Sequence, residues 1–99
     1  MYQVLFNYGN LEYSLVEIKL DANLPRDQRY HWLLLDHRQK TIQRLTFRSM
    51  EGNHRVFVEG ELTLYPDRAE FMSSGCELLV LPSTNQNYPT VTDYLKSSS

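Results

Sequence analysis

Residues Arg55–Tyr65 read RVFVEGELTLY and alternate without a slip across Gly60. Val56, Val58, Leu62 and Leu64 share one face, and Arg55, Phe57, Glu59, Glu61, Thr63 and Tyr65 share the other. A period of two belongs to a half-buried strand, because successive side chains point to opposite sides of a pleated chain. Read as one long strand, the stretch buries its valines and leucines. Phe57 and Tyr65 then face outward among charges.

The neighbouring segments supply partners for this strand. Residues 41–49 place Leu45 and Phe47 on one face and Ile42, Arg44, Thr46 and Arg48 on the other. A two-residue turn at Glu51-Gly52 sets Phe47 opposite Val56 and Leu45 opposite Val58. It also places Arg44 across from Glu59 as a cross-strand ion pair. Gly60 falls opposite Gln43, where a glycine inside a strand marks a bend or a close backbone approach. On the far side, Pro66-Asp67 has the chemistry of a type I turn. That turn brings Leu62 opposite Phe71 and Leu64 opposite Ala69. Ser73-Ser74-Gly75 breaks the chain again, and CELLVLP, residues 76–82, forms the last strand.

The N-terminal part follows the same logic. Tyr2, Val4, Phe6 and Tyr8 alternate, and Gly9-Asn10 is a two-residue hairpin signal. The register then pairs Tyr8 with Leu11, Phe6 with Tyr13 and Val4 with Leu15. After Leu15 the apolar phase moves to Val16, Ile18 and Leu20, which predicts a bent strand over 11–20 carrying a β-bulge. Residues 21–29 form a polar loop. YHWLLLD, residues 30–36, is apolar on both faces. A strand is preferred there to a helix opened at Pro25, because the leucines end sharply at DHRQK. Such a strand is central in its sheet or covered by another element.

Seven or eight short strands joined by tight turns predict an all-β antiparallel meander over 1–83, closed as a small barrel or folded as a sandwich. Residues 84–99 form a partly ordered tail. Thr90 and Asp93 have capping-box spacing there, which predicts a short helical turn through Tyr94 and Leu95.

The 99 residues suit one domain, and a 41% apolar fraction with seven Tyr, four Phe and one Trp is enough for a core. The formal charge of −2 lacks the basic excess of a typical nucleic-acid binder. No apolar run reaches the length of about 18 residues needed to span a membrane. The first ten residues do not resemble a signal peptide. With Cys76 as the single cysteine, a reducing, cytoplasmic location is expected.

The chain offers little catalytic chemistry. His31, His37 and His54 have no common metal-ligand spacing, so no metal or other cofactor is expected. Cys76 at a strand start behaves more often as a small hydrophobe than as a nucleophile. Glu59 and Glu61 lie two apart on one strand face, roughly 7 Å between Cα atoms, but a ladder of cross-strand charges accounts for them. No enzymatic activity is expected.

Binding is the better prospect. Arg38, Lys40, Arg44, Arg48 and Arg55 concentrate five of the ten Lys/Arg within eighteen residues. On the outer face of the long strand and its partner, Arg48 lies close to Arg55, and two adjacent arginines repel unless an acidic partner compensates. Interface centres favour Arg, Phe and Tyr. Arg44, Arg48, Arg55, Phe57, Glu59 and Tyr65 therefore form the expected partner-binding patch of a non-catalytic module acting by protein–protein interaction or self-association. Two alternatives stand beside it. An apolar ligand could occupy the interior, lined by Tyr2, Tyr8, Tyr13, Tyr30 and Trp32. Single-stranded nucleic acid could bind the basic cluster.

Overall fold

The computed structural model describes residues 2–21, 23–84, 91, 92 and 96. Within them nine strands run in chain order: β1 (Gln3–Gly9), β2 (Tyr13–Lys19), β3 (Tyr30–Asp36), β4 (Thr41–Leu45), β5 (Phe47–Glu51), β6 (His54–Phe57), β7 (Gly60–Leu64), β8 (Arg68–Ser73) and β9 (Leu78–Pro82). One helical turn, α1 (Arg26–Arg29), precedes β3. The strands form two antiparallel sheets in sequential order, β1-β2-β3-β4 and β5-β6-β7-β8-β9. The single residue Thr46 carries the chain from one sheet to the other. At the opposite seam Tyr8 and Ser83 form an isolated antiparallel bridge, and Asn10 Nδ2 donates to the Val80 carbonyl at 3.3 Å.

The strand periodicity of two divides the apolar side chains into two clusters. Leu15, Trp32 and Leu45 of the first sheet pack against Phe57, Leu62, Ala69, Phe71 and Leu81 of the second. Val16, Ile18, Leu33 and Leu35 point to the other face of the first sheet and enclose Val91, which is 1% exposed. The middle strands β2 and β3 thus serve a core on each side, so their sequences run apolar without alternation. This explains YHWLLLD, which is a strand between β2 and β4.

It also corrects the predicted bulge in 11–20. The phase change after Leu15 reflects burial on both faces of β2, and the irregularity lies in β1, between Val4 and Phe6. The first hairpin is displaced as well: Tyr8 pairs with Leu15, not Leu11, and Gly9 with Ser14. Asn10 explains the shift. Its side-chain oxygen accepts from the backbone N–H of Glu12 and of Tyr13, each at 2.8 Å, which builds a longer Asx-type turn.

The second hairpin turns at Gly52-Asn53, one residue later than expected, with Glu51 opposite His54 and Gly52 at φ +56°. Pro66-Asp67 turns as predicted, with Leu62 opposite Phe71 and Leu64 opposite Ala69. The capping-box pair Thr90–Asp93 lies outside the described residues.

The largest correction concerns Arg55–Tyr65. It is a hairpin, β6 and β7, turning at Val58-Glu59 with Phe57 opposite Gly60. In an antiparallel pair joined by a two-residue turn, partner numbers sum to an odd value. Inward positions are therefore odd on one strand and even on the other. Leu62 stays in the core at 0% exposure, whereas Phe57 turns inward at 3% and Val58 outward at 58%. Residues 41–49 likewise divide between two sheets, so Arg44 faces Leu33 and not Glu59.

Candidate functional site

At the Thr46 crossover the chain leaves one sheet and enters the other. β4 is laddered only to β3, and β5 only to β6. The crossover is pinned on one side. Thr46 N–H donates to Glu59 Oε2 at 2.9 Å, Val58 N–H to the Thr46 carbonyl at 3.0 Å, and Ser74 N–H to the Glu59 carbonyl at 2.8 Å. Beside it an open cleft of about 780 Å³ runs between the sheets, walled by residues of α1, β2, β3, β4, β5 and β6.

Apolar lining comes from Trp32, Leu45, Phe47, Met50 and Tyr30. Trp32 is 8% exposed and meets Phe57 edge-on at 5.4 Å, and Phe57 in turn meets Phe47 at 5.7 Å. Phe47 and Met50 are 48% and 61% exposed, so the apolar surface runs from the core out to solvent. Arg26, Arg44 and Arg55 supply positive charge, and Glu17 and Asp27 negative charge. Arg55 is oriented by its own turn, donating from Nη1 to the Gly52 carbonyl at 2.8 Å.

Glu17 sits opposite Trp32 in the β2–β3 ladder, on the face turned toward the second sheet. Burial pushes its carboxyl above the ordinary value, and the Arg55 guanidinium across the gap pulls it partway back. A carboxyl raised on folding favours the protonated folded chain. Its stabilising contribution is therefore present below about pH 4.5 and is lost as pH rises through the raised value. Urea unfolding across this range should show wild-type stability falling relative to Glu17→Gln as pH rises. A pH-independent difference between the two proteins contradicts the burial of Glu17. His31, on the opposite face, shifts down chiefly by burial, with Arg44 adding to the shift. Its hydrogen bond with the Gln28 carbonyl opposes the shift.

Of the six residues expected to form a patch, only Arg44 and Arg55 line the cleft. Phe57 is core. Glu59 caps the crossover. Tyr65 stacks beneath Arg68, whose guanidinium lies 4.2 Å from the ring centroid and also pairs with Asp67 and Glu70. Arg48 is exposed on β5, but Arg55 faces Met50, not Arg48. The basic cluster also disperses: Arg38 lies 3.9 Å from Glu12, at the β3–β4 turn. The sequence reading missed Glu17, Phe47 and Met50 as site residues. Only the register that sets Glu17 against Trp32 and Met50 against Arg55 reveals them.

Other polar groups serve the fold. The Ser14 hydroxyl and His37 Nε2 are 2.6 Å apart, an arrangement that resembles a nucleophile and its base. Ser14 is 0% exposed, however, and a Cβ on Gly9 would overlap its Oγ, so the imidazole satisfies a buried hydroxyl. Among the described residues no three His, Cys, Asp or Glu side chains group to hold a metal, and no helix is long and apolar enough to cross a membrane. Cys76 is exposed.

No family model, curated protein or solved structure matches the chain. The cleft itself carries the functional reading.

Proposed function

We propose that the protein is a non-catalytic binding module that engages a partner protein in the cleft beside Thr46. One observation carries the reading: exposed Phe47 and Met50 continue the buried Trp32 outward between two open sheet edges, with Arg44 and Arg55 alongside. Aromatic, Met and Arg side chains are the types enriched where proteins meet, and those at the centre of an interface carry most of its binding energy. In this reading the meander is a barrel with one parted seam, at β4 and β5, and the protein works in the cytoplasm. The cleft volume also lies within the range of small-molecule sites. That supports a second reading, an apolar ligand with an anionic group held by the same arginines.

Native mass spectrometry of the protein isolated from its own host separates a bound protein from a small adduct. With the protein partner then purified, Arg44→Glu combined with Arg55→Glu should weaken binding by about tenfold or more. Unchanged affinity overturns the cleft as the site.

A further inference from the structure

Over residues 49–51 the free edge of β5 has a hydrogen-bonding phase that the register determines, and an irregularity between Phe47 and Ser49 ends it. Glu51 and His54 flank a two-residue turn, Met50 lies opposite Arg55, and Ser49 opposite Val56. In such a hairpin the flanking pair exchanges both ladder bonds and the next pair exchanges none. The bond from Leu64 N–H to the Asn53 carbonyl, 2.8 Å, fixes the same phase from the other side. Asn53 and Arg55 bond toward β7, so His54 and Val56 bond toward β5. Met50 therefore directs both its N–H and its C=O away from β6, toward the open edge. All five residues of β5 are exposed. Among the described residues no backbone hydrogen bond from outside the ladder reaches them.

An open edge with unspent donors and acceptors is a template for another strand. This edge borders the cleft through Phe47 and Met50. Resting on the reading of the cleft as a protein-binding site, we propose that β5 accepts an extended acidic segment of a partner protein as an added strand. An aromatic side chain of the segment lies over Trp32 and Phe47. A carboxylate two residues away, roughly 7 Å along the same strand face, meets Arg55.

Charge selects this occupant. Arg26, Arg44 and Arg55 outnumber Glu17 and Asp27 along the cleft, and Arg48 on β5 adds to the excess. A second copy of the chain would bring the same arginines to the edge, where like charges repel.

The probe is an acetylated, amidated heptapeptide, Thr-Thr-Phe-Thr-Glu-Thr-Thr, titrated while following Trp32 fluorescence and backbone amide shifts of β5. Binding to the wild type is expected, weakened about tenfold or more by Met50→Pro, which removes the outward N–H and leaves the ladder intact. Met50→Ala keeps that N–H and loses only the side chain, so Met50→Pro should bind about threefold or more weakly than Met50→Ala. Of the two peptides N-methylated at alternate amides, only the one whose methyl groups face β5 should fail to bind the wild-type protein, a measurement that needs no variant to fold. Arg55→Gln should weaken the parent peptide about fivefold.

Equal affinity for Met50→Pro and for both N-methylated peptides overturns strand addition while leaving the cleft reading standing. Indifference to Arg55→Gln overturns the acidic segment as occupant. Failure of the wild type to bind the peptide at millimolar concentration overturns the proposal, as does a homodimer that Met50→Pro dissolves.

Discussion

Phe57→Ala lowers the stability of the protein by about 3–5 kcal/mol, whereas Val58→Ala changes it by less than about 0.5 kcal/mol. The contrast comes from the two-residue turn at Val58-Glu59. Phe57 is 3% exposed and touches Trp32, Phe47 and Phe71 through ring centroids 5.4, 5.7 and 6.4 Å away. Its removal opens a cavity at the centre of the core between the sheets, and three rings lose their packing partner at once. Val58 is 58% exposed and holds its place through a backbone hydrogen bond to Thr46, which alanine keeps. Urea unfolding followed by the fluorescence of Trp32, the sole tryptophan, reads both variants. A larger loss from Val58→Ala than from Phe57→Ala would restore a single strand through Arg55–Tyr65.

Gly60→Ala should destabilise by about 2–3 kcal/mol, and Gly60→Val by more. A Cβ at Gly60 would overlap the Met72 carbonyl oxygen, with Ser73 Cα at 2.9 Å and Phe71 Cζ at 3.0 Å. Two of these obstacles are backbone of the paired strand β8 and the third is a ring locked in the core, so nothing can swing aside. Gly52 provides the control. Open space surrounds its Cβ position, but its φ of +56° is left-handed, so Gly52→Ala should cost about 1 kcal/mol from backbone strain alone. Chemical denaturation of the two variants side by side tests the difference. Equal losses would mean that β7 and β8 do not approach closely at Gly60.

These two residues also mark how far the sequence could be read. The all-β class and the close approach at Gly60 were legible, because turn residues and period-two runs agree along most of the chain. The β7–β8 register came out correctly since Pro66-Asp67 and the apolar matches name the same turn. At the first hairpin the apolar matches favoured one register, and the Asn10 side chain, by capping two backbone amides, selected another.

At Val58-Glu59 no Gly, Pro or Asn inside the turn betrays it, and the even-numbered alternation runs straight through. The available hint was length: from Asn53 to Pro66 is long for one strand in a small domain and suits two of about five residues each. That misreading turned Phe57 outward and carried it into the expected patch. Arg44 and Arg55 both line the cleft, but they lie on strands of different sheets and not as neighbours on one flat face. β4 and β6 belong to different sheets that part at Thr46, so the two residues border the cleft from different walls.

The sequential strand order has a kinetic consequence. Every ladder in both sheets joins strands that are consecutive in the chain, and the Tyr8–Ser83 bridge, with Thr84 N–H donating to the Asn7 carbonyl beside it, pairs the two ends of the meander. Closing each hairpin therefore restricts only a short loop, whose entropy is small. Folding can proceed hairpin by hairpin, and such local pairing puts a β protein among the faster members of its class. The bridge from β1 to Ser83, just past β9, closes the longest loop and is expected to form late. The Thr46 seam, spanned by a single residue, is drawn together as soon as its flanking strands meet their own partners.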